Sequence, residues 1–270
     1  MDDYYNRISV MTWVLLFGLA SAQVLTLPAR ILTWHVLGSP LSITFATNSL
    51  LMLLLAAAAC SGTAMTLKAH PLALSGQLRH GWAAWALPSA EVIVAVELLP
   101  RIQSQAYWLV ALLATGAVLA GTLAALYRTV DPQQPGYRPA RALLILTAYA
   151  TALFLFLFVY TTRTRTLLSG GLIAFSGGLL ALELLRGVGR PLQDVGLYAL
   201  ITAAVLGEAT WALNYWGLPG LTGGLLLLWL FYLIVGPASQ HLQGHLNRRA
   251  VVEFLLTGLI AIFLIWRFAP

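Results

Sequence analysis

Charge is scarce in this chain: 9% of its 270 residues are Asp, Glu, Lys or Arg, against 60% that are hydrophobic. A soluble domain carries about 25% charged residues, so this composition cannot coat a water-facing surface. Lysine is nearly missing, with Lys68 standing alone at the edge of an apolar run, which excludes a retinal-type Schiff base within a helix. Cys60, in "LLLAAAACSG", is the single cysteine; no intrachain disulfide can form, and a small packing role is expected for it. His35, His70, His80, His241 and His245 all fall outside the apolar runs, so no pair of facing spans offers ligands to an embedded haem. No HExxH, nucleotide-binding loop or aspartate-rich diphosphate motif appears. No catalytic residue, metal or cofactor is therefore assigned, and a non-enzymatic role takes precedence. Long polar connections are lacking as well, which leaves residues 1–270 as a single integral membrane domain with no soluble part.

What is present is apolar sequence in lengths that cross a bilayer, about 20 residues each, and the mean hydropathy is +0.83. The expected architecture is an all-α polytopic transmembrane bundle of eight or nine spans, near 8–26, 42–66, 81–99, 105–127, 141–161, 167–185, 195–217, 220–238 and 250–267. The segment "PARILTWHVLGSP" (28–40) is too short to span and reads as an interfacial helix or re-entrant piece. "GLASAQ" contains a small-x-small pattern resembling a signal-peptidase site, but the acidic start "MDDYYNR" favours a retained first span.

The basic residues are scattered singly, without interleaved aromatics, so the net charge of +6 points to bilayer anchors and not to nucleic acid. With nine spans, ten Lys and Arg residues collect on the side of the N-terminus and five on the other. That bias predicts a cytoplasmic N-terminus in a cell (inner) membrane. Spans 2–5 and 6–9 share features: a mid-segment glutamate in spans 3 and 7, and similar openings in spans 5 and 9. They suggest a 4+4 parallel repeat after one extra helix. In span 6, Gly170, Ala174, Gly177 and Ala181 lie along one face and predict close approach of another backbone. "GLPGLTGG" (217–224) predicts a tight turn, making spans 7 and 8 antiparallel neighbours.

The glutamates carry most of the functional information. Glu97, Glu183 and Glu253 stand three or four residues from Arg101, Arg186 and Arg249, as interfacial ion pairs would. Glu91 and Glu208 have no basic residue within a turn along the sequence. By helical rise they lie about 15 Å and about 14 Å into their spans. A charged carboxylate at the centre of a bilayer costs at least about 2.5–3.5 kcal/mol, so these two side chains are expected to face protein or water. They are read as proton or cation sites lining a polar cavity, or alternatively as neutral carboxyls that cement helix pairs. Trp211 and Tyr215 share the face of Glu208, with Asn214 one step round, as a polar binding surface or an outer aromatic belt. Pro88, one turn before Glu91, would free the carbonyl of Ala84 in a kinked helix. Thr44, Thr47, Asn48 and Ser49 of the second span are candidates for the same cavity, Asn48 above all.

Three functions follow. The first is a small carrier or channel binding protons, a cation or a small polar substrate at Glu91, Glu208, Asn48, Trp211, Asn214 and Tyr215. The second is a non-catalytic subunit or scaffold, whose partners besides the lipid bilayer are another membrane subunit or a second copy. The third is a membrane enzyme acting on lipid-like substrates through its His and Arg loops.

Overall fold

The computed structural model describes residues 2–23, 25, 28, 30–36, 39–45, 47–75, 81–162, 166–216, 218–244, 252–254, 256–259 and 263. The chain divides into two compact units, Met1–Leu143 and Leu144–Pro270. In order, the elements are α1 (Asp2–Ser21), β1 (Arg30–Val36), β2 (Ser39–Phe45), α2 (Thr47–Lys68), α3 (Pro71–Leu74), α4 (Ala86–Leu98), α5 (Gln105–Arg128), α6 (Tyr137–Thr161), α7 (Thr166–Arg186), α8 (Leu192–Trp216) and α9 (Gly220–Leu242). Short 3-10 turns at Gly81–Trp85 and Leu99–Arg101 flank α4.

Among the described residues, seven helical segments are long and apolar enough to cross a membrane, from Thr47–Lys68 to Gly220–Leu242. They match the second to eighth expected spans. The first expected span differs: α1 ends at Ser21, and its opening turns hold Asp2, Asp3 and Arg7, so it is not among the seven. The ninth, 250–267, lies largely outside the described residues.

Residues 28–40 do not form the expected helix. β1 pairs antiparallel with β2, Arg30 opposite Phe45 and Val36 opposite Ser39. The composition explains the difference: Ile31, Thr33, Trp34, Val36, Ile43, Thr44 and Phe45 are β-branched or aromatic and favour extended backbone. Pro40 falls second in its strand, near the end where a missing N–H is tolerated. Thr44 consequently belongs to β2 and not to the second span, which begins at Thr47.

In the first unit, α1 presents Ile8, Thr12, Leu15, Leu16 and Leu19 at helical spacing as its buried side. The core joins Leu15 and Leu19 to Leu55 and Ala59 of α2, Val92, Ala95 and Val96 of α4, and Leu119 of α5. Leu16 and Met11 of α1 fill the spaces over Gly116 of α5 and Gly62 of α2.

In the second unit, α7 and α8 pack with backbones nearly touching. A Cβ at Gly178 would lie 2.9 Å from the Cβ of Ala203, and one at Gly207 would lie 3.2 Å from that of Ala174. The expected small-residue face of α7, Gly170, Ala174, Gly177 and Ala181, is met in part: Gly170 and Ala174 approach Gly207, and Gly178, outside the expected set, meets Ala199 and Ala203 of α8. Gly177 instead faces Leu206 and Phe156. Helices α8 and α9 are neighbours joined by three residues, as the turn sequence required. Gly224 of α9 abuts the backbone of Leu157 of α6, and Phe231 packs edge-on to Phe156 at 5.8 Å.

Replacing Gly178 by Leu is expected to destabilise the protein by about 1–3 kcal/mol through overpacking. Gly171→Leu, at a position with no neighbour within 4 Å, should hold or raise the melting temperature. Thermal unfolding of the two variants in detergent checks the difference.

Candidate functional site

Glu91 is positioned by the start of α4. The turn Gly81–Trp85 passes directly into the helix, with Trp85 already in right-handed helical backbone, so Pro88 falls where the 3-10 turn gives way to the α-helix. The proline has no N–H to offer the carbonyls of the preceding turn. The hydroxyl of Ser89 donates to the carbonyl of Trp85 at 2.6 Å and lies near that of Ala86 at 3.0 Å, satisfying this first turn. Three residues after Pro88, Glu91 is 6% exposed and sits ten residues from each end of the segment Gly81–Arg101. Thr122 of α5, itself fully buried, donates its hydroxyl proton to Oε1 of Glu91 at 2.6 Å.

A cavity of about 220 Å³ opens at the end of the first unit where α2 and α5 begin and α4 ends. Its wall includes Gln23, Asn48, Trp108, Ala95 and Leu99. Ala95 and Leu99 follow Glu91 at four-residue intervals on one face of α4, so the cavity begins one turn beyond the carboxyl. Asn48 lines this cavity, whose wall reaches α4 at Ala95 and Val96. Gln23, Trp108 and Thr122 were missed. Thr122 left the clearest trace, a lone hydroxyl deep in "AGTLAAL".

The residues around Glu208 are arranged differently. They belong to the second unit, and Glu208 is exposed on α8, whereas the sequence reading sheltered it. The same helix buries Ala199, Thr202, Leu206, Thr210 and Leu213, which directs Glu208 the other way. Trp211 is 50% exposed with its indole lying over Gly170, and Tyr215 is 87% exposed. Together with exposed Trp216 they form an outward aromatic rim at the end of α8, the alternative reading of those rings. Asn214 separates from them: its amide donates to the hydroxyl of buried Ser169 on α7 at 2.8 Å and ties the helix pair. The hydroxyl of Tyr160 adds a bond to the carbonyl of Leu213 at 3.0 Å.

The arginine-paired glutamates also sort themselves. Glu183 is fully buried and receives both Nε and Nη2 of Arg186, the latter at 2.7 Å, in a two-pronged pair. Arg101 directs Nε to the backbone carbonyl of Glu97 at 3.1 Å. Arg249, the expected partner of Glu253, lies outside the described residues.

Of the histidines, His70 is a buried structural group and not a headgroup contact. It caps α3, Nδ1 accepting from the Leu72 N–H at 3.2 Å, and its Nε2 stands 3.1 Å from the Gln134 side-chain amide. Its edge rests on Tyr127, which stacks on Tyr4 of α1 at 4.3 Å. His80 and His245 lie outside the described residues, among which no group of three or more His, Cys, Asp and Glu side chains gathers.

The helices define a multi-pass membrane protein with buried glutamates. The chain belongs to the family described as "Protein of unknown function (DUF5656)", whose profile matches residues 27–267. No curated protein and no solved structure matches it.

Burial holds the His70 pKa below the ordinary histidine value, with nearby Asp131 only partly offsetting the shift. The folded state therefore binds the ring proton more weakly than the unfolded chain. His70 contributes fully above about pH 6.5, and stability is lost as pH falls through its lowered folded value, at no more than about 1.4 kcal/mol per pH unit. His70→Asn, which retains a capping side chain, is expected to flatten thermal stability between pH 7 and pH 5.

Proposed function

We propose that the protein is a small carrier or channel in which Glu91 holds a proton or cation midway through the membrane. The observation that carries this reading is the carboxyl of Glu91, buried between α4 and α5 at the centre of a span and bound by the Thr122 hydroxyl at 2.6 Å. A hydroxyl can donate to the charged carboxylate and turn to accept from the protonated acid, so the pair tolerates both states. The cavity walled by Asn48 and Gln23 supplies an approach that stops one turn short of the carboxyl. The excess of Lys and Arg on the N-terminal side supports a cytoplasmic N-terminus, which turns this cavity outward.

Purified protein in liposomes is expected to dissipate an imposed proton or sodium gradient. Glu91→Gln should abolish that flux with little change in melting temperature. Thr122→Val should slow it by roughly tenfold, the scale of one hydrogen bond to a charged group. Undiminished flux through Glu91→Gln overturns the reading and leaves Glu91 as helix cement.

One observation favours the subunit reading beside it. Ala204, Glu208, Trp211 and Tyr215 form one exposed stripe along α8, and a carboxyl on it, eight residues before Trp216, is costly against hydrocarbon. Coverage by a second copy satisfies it, since a protonated carboxyl is both donor and acceptor and two copies set it at equal depth. In a Cys60→Ser background, Ala204→Cys is expected to form disulfide-linked dimers in membranes, while Leu146→Cys, exposed on α6, does not. Monomers from both variants reject that face as a dimer contact.

A further inference from the structure

The second unit carries another concave site where α8 begins and α9 ends. It is a cavity of about 350 Å³ lined by Arg190, Asp194, Leu197, Tyr198, His241 and Leu242. Gly189, in the left-handed region at φ 76°, turns the chain into it just before Arg190. Nε of Arg190 donates to the carbonyl of Leu242 at 2.8 Å, which pins the guanidinium to the end of α9 and leaves its terminal N–H groups as donors. The rings of His241 and Tyr198 stand 6.0 Å apart on the same wall.

Arg190 and Asp194 line one cavity, yet no ion pair joins them among the described residues. A cationic and an anionic wall are thus both kept open, which suits a ligand bearing both signs. The position selects its source. The cavity lies at the water-facing ends of two spans, and Leu197 and Leu200 continue from it as an exposed apolar track along α8.

We propose that this cavity binds the headgroup of a phospholipid with a primary ammonium, its phosphate on Arg190 with Tyr198 and His241 beside it, and its ammonium on Asp194. The acyl chains follow Leu197 and Leu200. A quaternary ammonium has no N–H to give Asp194, and a headgroup of net negative charge is repelled by it; both classes are disfavoured. This site is independent of the transport reading at Glu91.

The test uses the full chain in mild detergent, mixed with equimolar phosphatidylethanolamine, phosphatidylcholine and phosphatidylglycerol and read by native mass spectrometry. Phosphatidylethanolamine is expected to be retained over the other two by roughly tenfold, the scale of one hydrogen bond between charged groups. Asp194→Asn should erase that preference and raise retention of phosphatidylglycerol, whereas Asp194→Glu should keep it. Soluble phosphoethanolamine, added at the same concentration, should not compete. Equal retention of the three lipids by the native chain, or unchanged selectivity in Asp194→Asn, overturns the proposal. Displacement by phosphoethanolamine assigns the cavity to a water-soluble ligand and overturns its lipid part.

Discussion

The hydrogen bond from Thr122 to Glu91 is the constraint on which the first unit turns. A carboxyl at the centre of a span requires a polar neighbour, and here α5 supplies one from a fully buried position. To reach it, α4 and α5 must keep one rotation and one depth. The apolar contacts around Val92, Ala95, Val96 and Leu119 then fill the space which that register leaves. Apolar packing alone permits many sliding arrangements of such helices, because lipid and core are equally oily. A specific polar contact reduces them to few.

The second unit reaches definition by another route. Its α7–α8 seam is built from absences of side chain, with Gly170, Gly178 and Gly207 admitting backbone to backbone contact. A polar tie from Asn214 to Ser169 sits at one end, while Glu183 and Arg186 pair within α7 toward the other. Dispersion contacts along the seam and the hydrogen bond at that one end divide the work between them.

How much of this was legible follows from what each residue's environment leaves in the sequence. Span positions were readable because the requirement for about 20 apolar residues is one-dimensional. The seam of α7 was readable because glycines at helical spacing mark close approach whatever the partner, although its partner stripe Ala199, Ala203 and Gly207 passed unnoticed among other small residues. The bidentate pair of Glu183 and Arg186 was readable from a spacing of three. Rotation about the helix axis was not. The depth of Glu208 can be counted along α8, but that helix is apolar on its buried and exposed faces alike, so no pattern told which way the carboxyl points. The hairpin was lost for the opposite reason, since two seven-residue strands are too brief to display a period beside the long helices.

That hairpin has a mechanical consequence. A ribbon of two strands satisfies the backbone groups between them and leaves those along its outer borders to the surroundings. Hydrocarbon offers them nothing, so the ribbon must ride where water reaches it. Tethered between the end of α1 and the start of α2, a ribbon held to water in this way would set a limit on how far either helix can sink.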